Sequence, residues 1–482
     1  MTPILIFTAF AIYTVLLFAI SFITSRKSDN ETFMLGNRRS PWYVVAYGMI
    51  GASLSGVTFI SIPGDVANTQ FSYMVIVLGY LLGYFVIANV LLPLYYKLQL
   101  TSIYTYLEQR FGFWSYKTGA VFFLISRIIG ASFRMFLVVS ILQMFVFDAW
   151  GIPFWATVAM FIVFIMLYTF RSGIKTIVWT DTLQTTFMLL AVIITFFLIA
   201  AEMGLSFSGL VQEVRASEYS RMIISEWRSG HFVIKDFLAG MFIAIVMTGL
   251  DQDMMQKNLS CRNLKEAKKN IYWLSISLVP VNLLFISLGA VLWIYSKQVS
   301  GFPQLATTDY LFPTIALQYL GPVAGVTFII GLIAAAYSSA DSALTALTTS
   351  FTVDILGIRK KKGMDKRRKT WIRYRVHIGI SMVVFLVIVV FNMINDRSVI
   401  SALFTIAGYT YGPLLGLFAF GLFTKYQIRD IYVPLIALLS PVLCYVLSLY
   451  DQQILDGYNL GFELLLLNGF LTFTGLFIVS KK

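Results

Sequence analysis

The sequence predicts an all-α integral membrane protein with thirteen transmembrane helices. Hydrophobic residues make up 58% of the 482 residues and charged residues only 12%, whereas about a quarter of the residues of a soluble domain are charged. Apolar runs of roughly 18–25 residues recur along the chain, and each is long enough to cross about 30 Å of hydrocarbon as an α-helix. Runs of this length indicate helices rather than strands, because backbone groups in lipid must be paired within the protein.

The order of apolar runs and charged loops predicts the topology. Basic residues, Lys257 among them, concentrate in alternate loops, most densely between Arg359 and Arg375. This pattern makes those loops cytoplasmic and places the N-terminus outside and the C-terminus inside. The first run has no basic residue before it, unlike a cleaved signal peptide. No loop is long enough to fold separately, so residues 1–482 are expected to form a single membrane domain. The predicted spans are 3–24, 42–65, 72–96, 118–147, 153–170, 176–201, 232–252, 271–296, 323–353, 374–394, 399–424, 431–450 and 459–479.

The composition argues against several other classes of protein. Two cysteines and two histidines, without a CxxC or HExxH pattern, do not support a disulfide framework, a zinc site or a redox enzyme. The net charge of +13 is distributed over loops beside apolar runs, which does not indicate nucleic-acid binding. We therefore expect neither an enzyme nor a nucleic-acid partner.

The second span contains many small residues. It reads GASLSGVTFISIPG from Gly51 to Gly64 and is followed by Asp65. Glycine and Pro63 permit a broken helix whose freed carbonyl groups coordinate a cation or solute. The alternative is close helix packing through small side chains.

The ninth span carries hydroxyl groups and one carboxylate. Ser338, Asp341, Ser342 and Thr345 share one helical face, and Ser339 lies beside Ser338. These hard oxygen ligands suit Na⁺ and do not suit a soft metal. Close packing would account for the serines but not for a buried Asp341.

Two other spans contain charged residues at membrane depth, where such residues usually mark function. Asp181 opens the sixth span and either caps the helix start or faces the ninth span as a second acidic ligand. Arg127 and Arg134 lie on one face of the fourth span. They either hold a substrate carboxylate or neutralise Asp341 or Asp65.

Four motifs in order resemble the sodium/solute symporter family, which includes sodium/glucose, iodide, proline and sialic acid cotransporters. The resemblance covers about residues 3–430. The motifs are WTDTLQ at 179–184, GLDQDMMQKNLSCRNLKEAKKN at 249–270, AAAYSSADS at 334–342 and GYTYGPLLGLFAFGLF at 408–423.

This resemblance implies a leucine-transporter-type fold with two inverted five-helix repeats. Residues 42–201 would form the first repeat and 232–424 the second, with a leading helix at 3–24 and two trailing helices within 431–479. The main Na⁺ site would use the carbonyl groups of Gly56, Phe59 and Ala335 and the hydroxyl groups of Ser338 and Ser339. A second cation or proton site would involve Asp181, Asp341 and Ser342.

The resemblance also bears on the solute. Sugar-transporting members have an asparagine at the position of Asp251 and an aromatic residue at that of Asp253, so a sugar-like site is not indicated. Arg127 falls close to an arginine that holds the substrate carboxylate in sialic acid transporters. The substrate-binding candidates are Ser61, Asp65, Arg127, Arg134, Asp251, Gln252, Asp253 and Tyr409.

We therefore predict a monomeric, sodium-coupled symporter that imports a small organic solute across a bacterial inner membrane by alternating access. The solute is expected to be a carboxylate such as a sugar acid. Three alternatives remain: a proton-coupled transporter using Asp341 or Asp181, a sodium-coupled transporter of a neutral sugar, amino acid or vitamin, and, less favoured, a membrane sensor domain.

Overall fold

Helices lie at all thirteen of the predicted spans. The computed structural model describes residues 2–24, 30–361, 363–394, 399–454, 458 and 460–481. Its α-helices are α1 (Pro3–Thr24), α2 (Asn30–Leu35), α3 (Trp42–Thr69), α4 (Tyr73–Val86), α5 (Leu92–Lys97), α6 (Thr105–Arg110), α7 (Phe113–Leu142), α8 (Phe154–Glu202), α9 (Phe207–Ala216), α10 (Val233–Ala244), α11 (Gln252–Leu259), α12 (Leu264–Gln298), α13 (Leu311–Thr314), α14 (Gly321–Ser350), α15 (Lys366–Ile394), α16 (Val399–Phe423), α17 (Val433–Leu449), α18 (Asp451–Ile454) and α19 (Leu464–Ile478).

Short irregular elements join these helices. Two-residue strands pair antiparallel near the C-terminus, β1 (Gln427–Ile428) with β2 (Ser480–Lys481). Five-residue π-helical turns extend several helices, at Ile87–Leu91, Gln143–Phe147, Ile245–Gly249, Ile315–Tyr319 and Phe351–Ile355. The 3₁₀ turns are Gly36–Arg38, Asp148–Trp150, Glu218–Ser220, Thr308–Tyr310, Ile358–Lys360 and Asp430–Tyr432.

Most of the helices are long and apolar enough to cross a membrane. Among the described residues ten helices meet this test, or eleven when the bent pair Val233–Gly249 and Gln252–Leu259 counts as one span. Two shorter apolar helices, Phe154–Phe170 and Leu464–Ile478, lie at the predicted spans 153–170 and 459–479. The number of thirteen crossings and their orientation stay predictions.

Helix α14 lies at the centre of the bundle. Every residue from Gly331 to Ser350 is buried, because α1, α3, α7, α8 and α15 pack around it. A fully surrounded helix can carry polar groups, which would be costly against lipid. The polar face of the ninth predicted span therefore lies inside the protein.

Helix α3 approaches α8 very closely through two glycines. A Cβ atom on Gly51 would lie 2.2 Å from Thr185 Oγ1, and one on Gly48 would lie 3.0 Å from Asp181 Cβ. Thr185 Oγ1 also accepts a hydrogen bond from Gly51 N at 3.1 Å. Close helix packing, one of the two interpretations of the small residues in this span, thus holds for the part of α3 that contains Gly48 and Gly51.

The same helix is broken further along. Ser55 has φ 33° and ψ 174°, a conformation that is sparsely populated and costly for a residue with a side chain. The sequence analysis expected glycine and Pro63 to permit a broken helix in this span, and the break is present at Ser55, next to Gly56, with Pro63 within the helix that follows. Proline has no backbone N–H, so the carbonyl group of Phe59, four residues earlier, lacks its usual partner within the helix.

Two further breaks shape the bundle. Gly173 (φ 59°) separates the two halves of α8, and only a residue without Cβ fits there because Phe33 Cα would be 2.3 Å from it. The second break follows Gly249, where the chain bends by 65° before α11. Asp251 caps α11, its carboxylate accepting hydrogen bonds from Asp253 N at 2.8 Å and Met254 N at 3.3 Å.

Candidate cation and solute site

The break in α3 lies in the region of the bundle where α3 packs against α14. The ring of Phe59 is 2.9 Å from the Cβ position of Gly331, which brings the segment after Ser55 against α14 about two turns before Ser338. Ser339 Oγ is buried and has no hydrogen-bond partner among the described residues. A buried hydroxyl without a partner is costly, and a hard cation next to the α3 break would supply the missing interaction. This donor set fits Na⁺, and no group of three or more His, Cys, Asp or Glu side chains in the described part of the chain could hold a metal ion.

Asp181 is bound on both carboxylate oxygens. Lys257 Nζ lies 2.7 Å from Oδ2, and Ser338 Oγ donates to Oδ1 at 2.7 Å. Asp181 does not cap a helix start, because α8 continues on both sides of it. The structure therefore supports the alternative in which Asp181 faces the ninth span.

The position of Lys257 differs from the one expected, because the sequence analysis placed this residue with the cations of a cytoplasmic loop. It belongs to α11 and is fully buried, with 1% of its side chain exposed. A carboxylate at hydrogen-bonding distance compensates a buried ammonium group, which would otherwise be costly. The motif DQDMMQK at 251–257 offered a signal for this. Gln252 and Gln256 are four residues apart, as are Asp253 and Lys257, and this one-turn spacing predicts a helix rather than a loop.

Asp341 makes no ion pair with Lys257 among the described residues. Tyr168 of α8 donates its hydroxyl proton to Asp341 Oδ2 at 2.8 Å, and Asp341 Oδ1 is buried without a hydrogen-bond partner in the described part of the chain. The expected alternative in which Arg127 neutralises Asp341 is wrong. The sequence analysis did not identify Tyr168, which stands in an otherwise apolar stretch.

Arg127 instead pairs with the acidic residues of the bend before α11. Its guanidinium is in direct contact with Asp253 Oδ2 and lies 3.9 Å from Asp251 Oδ2. Ser342 of α14 donates to the same Asp253 oxygen at 3.2 Å, and Tyr411 of α16 donates to Asp251 Oδ2 at 2.6 Å. The acidic residues that depart from the sugar-transporter pattern are therefore the partners of Arg127.

A cavity of about 90 Å³ opens beside these residues, between α3, α4, α7, α10 and α16. The guanidinium groups of Arg127 and Arg134 line it together with Ser55 at the α3 break. Arg134 has no ion-pair partner in the described part of the chain. Because a buried cation without a partner attracts an anion strongly, this central cavity suits a negatively charged group.

A second cavity of about 220 Å³ adjoins the first, and Tyr73 and Phe404 line both. This vestibule also contains Asp65 and His231. Asp65 accepts a hydrogen bond from Asn68 at 2.9 Å and does not pair with Arg127 or Arg134. Of the predicted substrate residues, Asp65 therefore lies on the path to the central cavity rather than in it.

The other predicted substrate residues do not line the central cavity. Gln252 is used structurally, accepting from Ile103 N at 3.0 Å and donating to Thr101 O at 2.8 Å. The hydroxyl of Tyr409 lies 2.8 Å from Ser448 of α17. Ser61 is fully buried in α3. Asp251 and Asp253 contact Arg127 and do not themselves line the cavity. The sequence analysis did not name the aromatic residues of the cavity, Tyr73, Tyr80, Tyr84 and Phe404.

A model of the sodium:solute symporter family matches residues 33–428. The chain belongs to the sodium:solute symporter family. This match covers the four motifs, the α3 break and α14, and it establishes a sodium-coupled membrane transporter with Na⁺ as the coupling ion.

Individual relatives are identical to this symporter at about a quarter of the aligned residues. The sodium/sialic acid symporter NanT of Aliivibrio fischeri is 25% identical over 423 residues, which are 84% of this chain and 79% of the relative. The human sodium-coupled monocarboxylate transporter 1 is 24% identical over 84% of this chain and 66% of its own length. The human sodium/iodide cotransporter is 23% identical over 82% and 61%.

The fold is shared with solved transporters. A Na⁺-coupled sialic acid symporter, determined in a substrate-bound outward-open state, superposes with a TM-score of 0.81 over 99% of both chains at 20% identity. Mhp1, a nucleobase-cation-symport-1 family transporter in a closed conformation, gives 0.57 over 94% of both chains at 13% identity. At these identities the likeness concerns the fold alone.

Proposed function

We propose that this symporter imports a small organic anion, with a sugar acid as the favoured class, together with Na⁺. The observation that carries the proposal is Arg134, whose guanidinium lines the central cavity next to the α3 break and lacks an ion-pair partner in the described part of the chain. A carboxylate would provide a two-pronged, charge-assisted hydrogen-bond partner. Arg127, whose charge is compensated by Asp251 and Asp253, would contribute a second hydrogen-bond donor. Relatives named for sialic acid and monocarboxylates support an anionic solute.

The main Na⁺ site is proposed at the α3 break and α14. The carbonyl groups of Gly56, Phe59 and Ala335 and the hydroxyl groups of Ser338 and Ser339 would be its ligands. Na⁺ there would brace the two halves of α3 against α14 and shape the neighbouring cavity for the solute. Each net positive charge that moves inward through 100 mV contributes about 2.3 kcal/mol, which concentrates a solute on the order of 50-fold. With a monovalent anion as the solute, a net charge moves only when two Na⁺ ions accompany it.

A second cation position is proposed at Asp181, Asp341 and Ser342. In this arrangement Lys257 already compensates Asp181, whereas Asp341 accepts a hydrogen bond from Tyr168 and makes no ion pair in the described part of the chain. Asp341 is therefore the stronger candidate of the two carboxylates for a cation or a proton.

The remaining architecture is proposed from the family pattern. Thirteen spans would run with the N-terminus outside and the C-terminus inside a bacterial plasma membrane. Residues 42–201 and 232–424 would form the inverted repeats, flanked by the leading helix 3–24 and the trailing helices of 431–479. The chain would work as a monomer by alternating access, with the vestibule on the outer side.

Uptake into proteoliposomes under an imposed Na⁺ gradient tests the solute assignment. Labelled sialic acid and lactate are the anionic probes and glucose is the neutral one. We expect Arg134→Gln to raise the half-saturating concentration of the transported anion roughly 10- to 100-fold, since a hydrogen bond to a charged group contributes about 1.5–3 kcal/mol. Glucose uptake without anion uptake, or unchanged anion affinity in Arg134→Gln, would contradict the proposal.

The cation assignment is tested with Ser338→Ala combined with Ser339→Ala. The Na⁺ concentration for half-maximal uptake should rise at least tenfold, because two ligands are removed. Ser381→Ala is the matched control, a buried serine on α15 that donates to His377 O at 2.9 Å. An unchanged Na⁺ dependence in the double variant would show that the site lies elsewhere, and uptake driven by a pH gradient without Na⁺ would favour proton coupling.

A further inference from the structure

A large apolar groove lies on the flank of the bundle, away from the central cavity. Its volume is about 760 Å³, compared with about 90 Å³ for the central cavity and about 220 Å³ for the vestibule. One wall is the second half of α8 and the other is α12, where Pro280 lines the groove. Both walls also face outward: Phe197 of α8 and Leu283 of α12 are exposed. In a membrane the groove is therefore continuous with the lipid.

The groove has a roof formed by the short helix α9. Its apolar residues Phe207, Leu210, Val211 and Val214 follow the spacing of one helical face, and all four line the groove. Leu210 and Val214 are buried, yet Phe207 and Val211 are 61% and 37% exposed. The protein itself thus covers only part of this apolar face, and an apolar occupant running beneath α9 would cover the rest.

Positive charge lies at the rim of the groove. Arg215, the next residue of α9 after Val214, is exposed and also lines the groove. The nearby Glu218 is compensated by Lys297, whose Nζ lies 2.7 Å from its Oε1. An apolar channel that opens to lipid and has a guanidinium at its mouth is complementary to one acyl chain and the phosphate of one lipid.

We infer that this groove is a binding site for a single anionic phospholipid, with an acyl chain beneath α9 and the headgroup at Arg215. An acyl chain gains little hydrophobic free energy by leaving the surrounding lipid, because lipid tails are as apolar as the groove. Selectivity must therefore come from the headgroup charge and from the fit of the chain under α9. One arginine near a membrane surface contributes about a fivefold preference for an anionic lipid.

The site has a structural connection to the transport machinery. Phe71, two residues after the end of α3, lines the groove, and its backbone N–H donates to Arg221 O at 3.1 Å. An occupied groove would hold the outer end of the broken helix against α12 and the segment that follows α9. The inference does not depend on the identity of the transported solute.

Native mass spectrometry of the purified full chain tests the inference, with phosphatidylglycerol and phosphatidylcholine added in equal amounts. We expect the wild-type chain to retain one phospholipid, with about a fivefold preference for phosphatidylglycerol. Arg215→Gln should remove this preference. Ser287→Trp, which places a large ring in the groove, should abolish retention, with thermal unfolding as the check that the variant is folded.

The matched control is Arg228→Gln, since Arg228 lies in the same loop region, over the ring of Trp227, and does not line the groove. It should keep the wild-type preference. The inference is overturned if the wild-type chain retains no phospholipid, if Arg215→Gln and Arg228→Gln behave alike, or if the folded Ser287→Trp variant retains the lipid as well as the wild type does.

Discussion

Two lysine–carboxylate pairs in this chain have the same length but opposite surroundings. Lys257 Nζ and Asp181 Oδ2 are 2.7 Å apart with 1% of each side chain exposed, and Lys297 Nζ and Glu218 Oε1 are 2.7 Å apart with 59% and 68% exposed. Removing one partner of a buried pair leaves an uncompensated charge in a medium of low polarity, which costs about 3–5 kcal/mol. Removing one partner of an exposed pair costs about 0–1 kcal/mol.

We therefore expect Lys257→Met to lower the free energy of unfolding by about 3–5 kcal/mol and Lys297→Met to lower it by less than about 1 kcal/mol. Asp181→Asn should be as costly as Lys257→Met, because it leaves the ammonium group unpaired. The double variant Lys257→Met with Asp181→Asn should recover most of the loss, since no buried charge remains and Asn still accepts from Ser338. Equilibrium unfolding by SDS in mixed micelles measures all four variants.

Two results would contradict this expected order of stabilities. If Lys257→Met costs no more than Lys297→Met, or if the two single losses at the buried pair simply add in the double variant, Lys257 and Asp181 do not stabilise each other as a charged pair. A variant that unfolds during purification would instead agree with a large loss, and the recovery in the double variant would then be the deciding measurement.

Two further predictions concern packing and pH. Gly51→Ala should lower the free energy of unfolding by about 1–3 kcal/mol, because its Cβ would lie 2.2 Å from Thr185 Oγ1. Adding Thr185→Ala to this variant should recover part of the loss. If Gly51→Ala is as stable as the wild type, α3 and α8 are less tightly packed than the structure shows. Asp309 lies between α12 and α13 and accepts from Val399 N at 3.2 Å, and burial raises the pKa of its carboxyl group. Since the folded pKa exceeds the unfolded value of about 3.9, stability should fall as the pH rises from about 4 through the folded pKa. Thermal unfolding of Asp309→Asn should lack this component, whereas the exposed Asp365→Asn should keep it; equal pH profiles for all three chains would contradict the assignment.

The positions of the helices could be read from the sequence because lipid imposes a simple requirement on length and polarity. Each apolar run predicted a helix, and a helix occupies each one. The positions of the helix breaks were harder to predict. Glycine and Pro63 indicated that the second span is broken but did not specify the residue. The chain breaks at Ser55, between a first half that packs against α8 through Gly48 and Gly51 and a second half that packs against α14 through Phe59.

The polar residues of the site were identified from the sequence, but their partners were not. Arg127 could be recognised as a charge at membrane depth, whereas its contact with Asp253 depends on the bend before α11, which no local pattern specifies. Lys257 was misassigned because the predicted span ended at residue 252, although the spacing of the polar residues that follow indicated a helix. Periodicity places residues on a face of one helix, but which faces meet depends on the crossing of several helices and on close approaches that only the whole bundle determines.

The short helix α11 also limits how the transporter can change shape. Near its start, Asp253 is tied to α7 and α14, and one turn later Lys257 is tied to α8. Turning α11 alone about the 65° bend would separate two buried pairs of opposite charge at once, with neither water nor lipid available to replace the lost partners. Motions in which α11 travels together with α7, α8 and α14 avoid that cost. For this chain, opening toward the end of the bundle that carries α11 is therefore expected to proceed by large groups of helices sliding past one another, rather than by a single hinged half-helix.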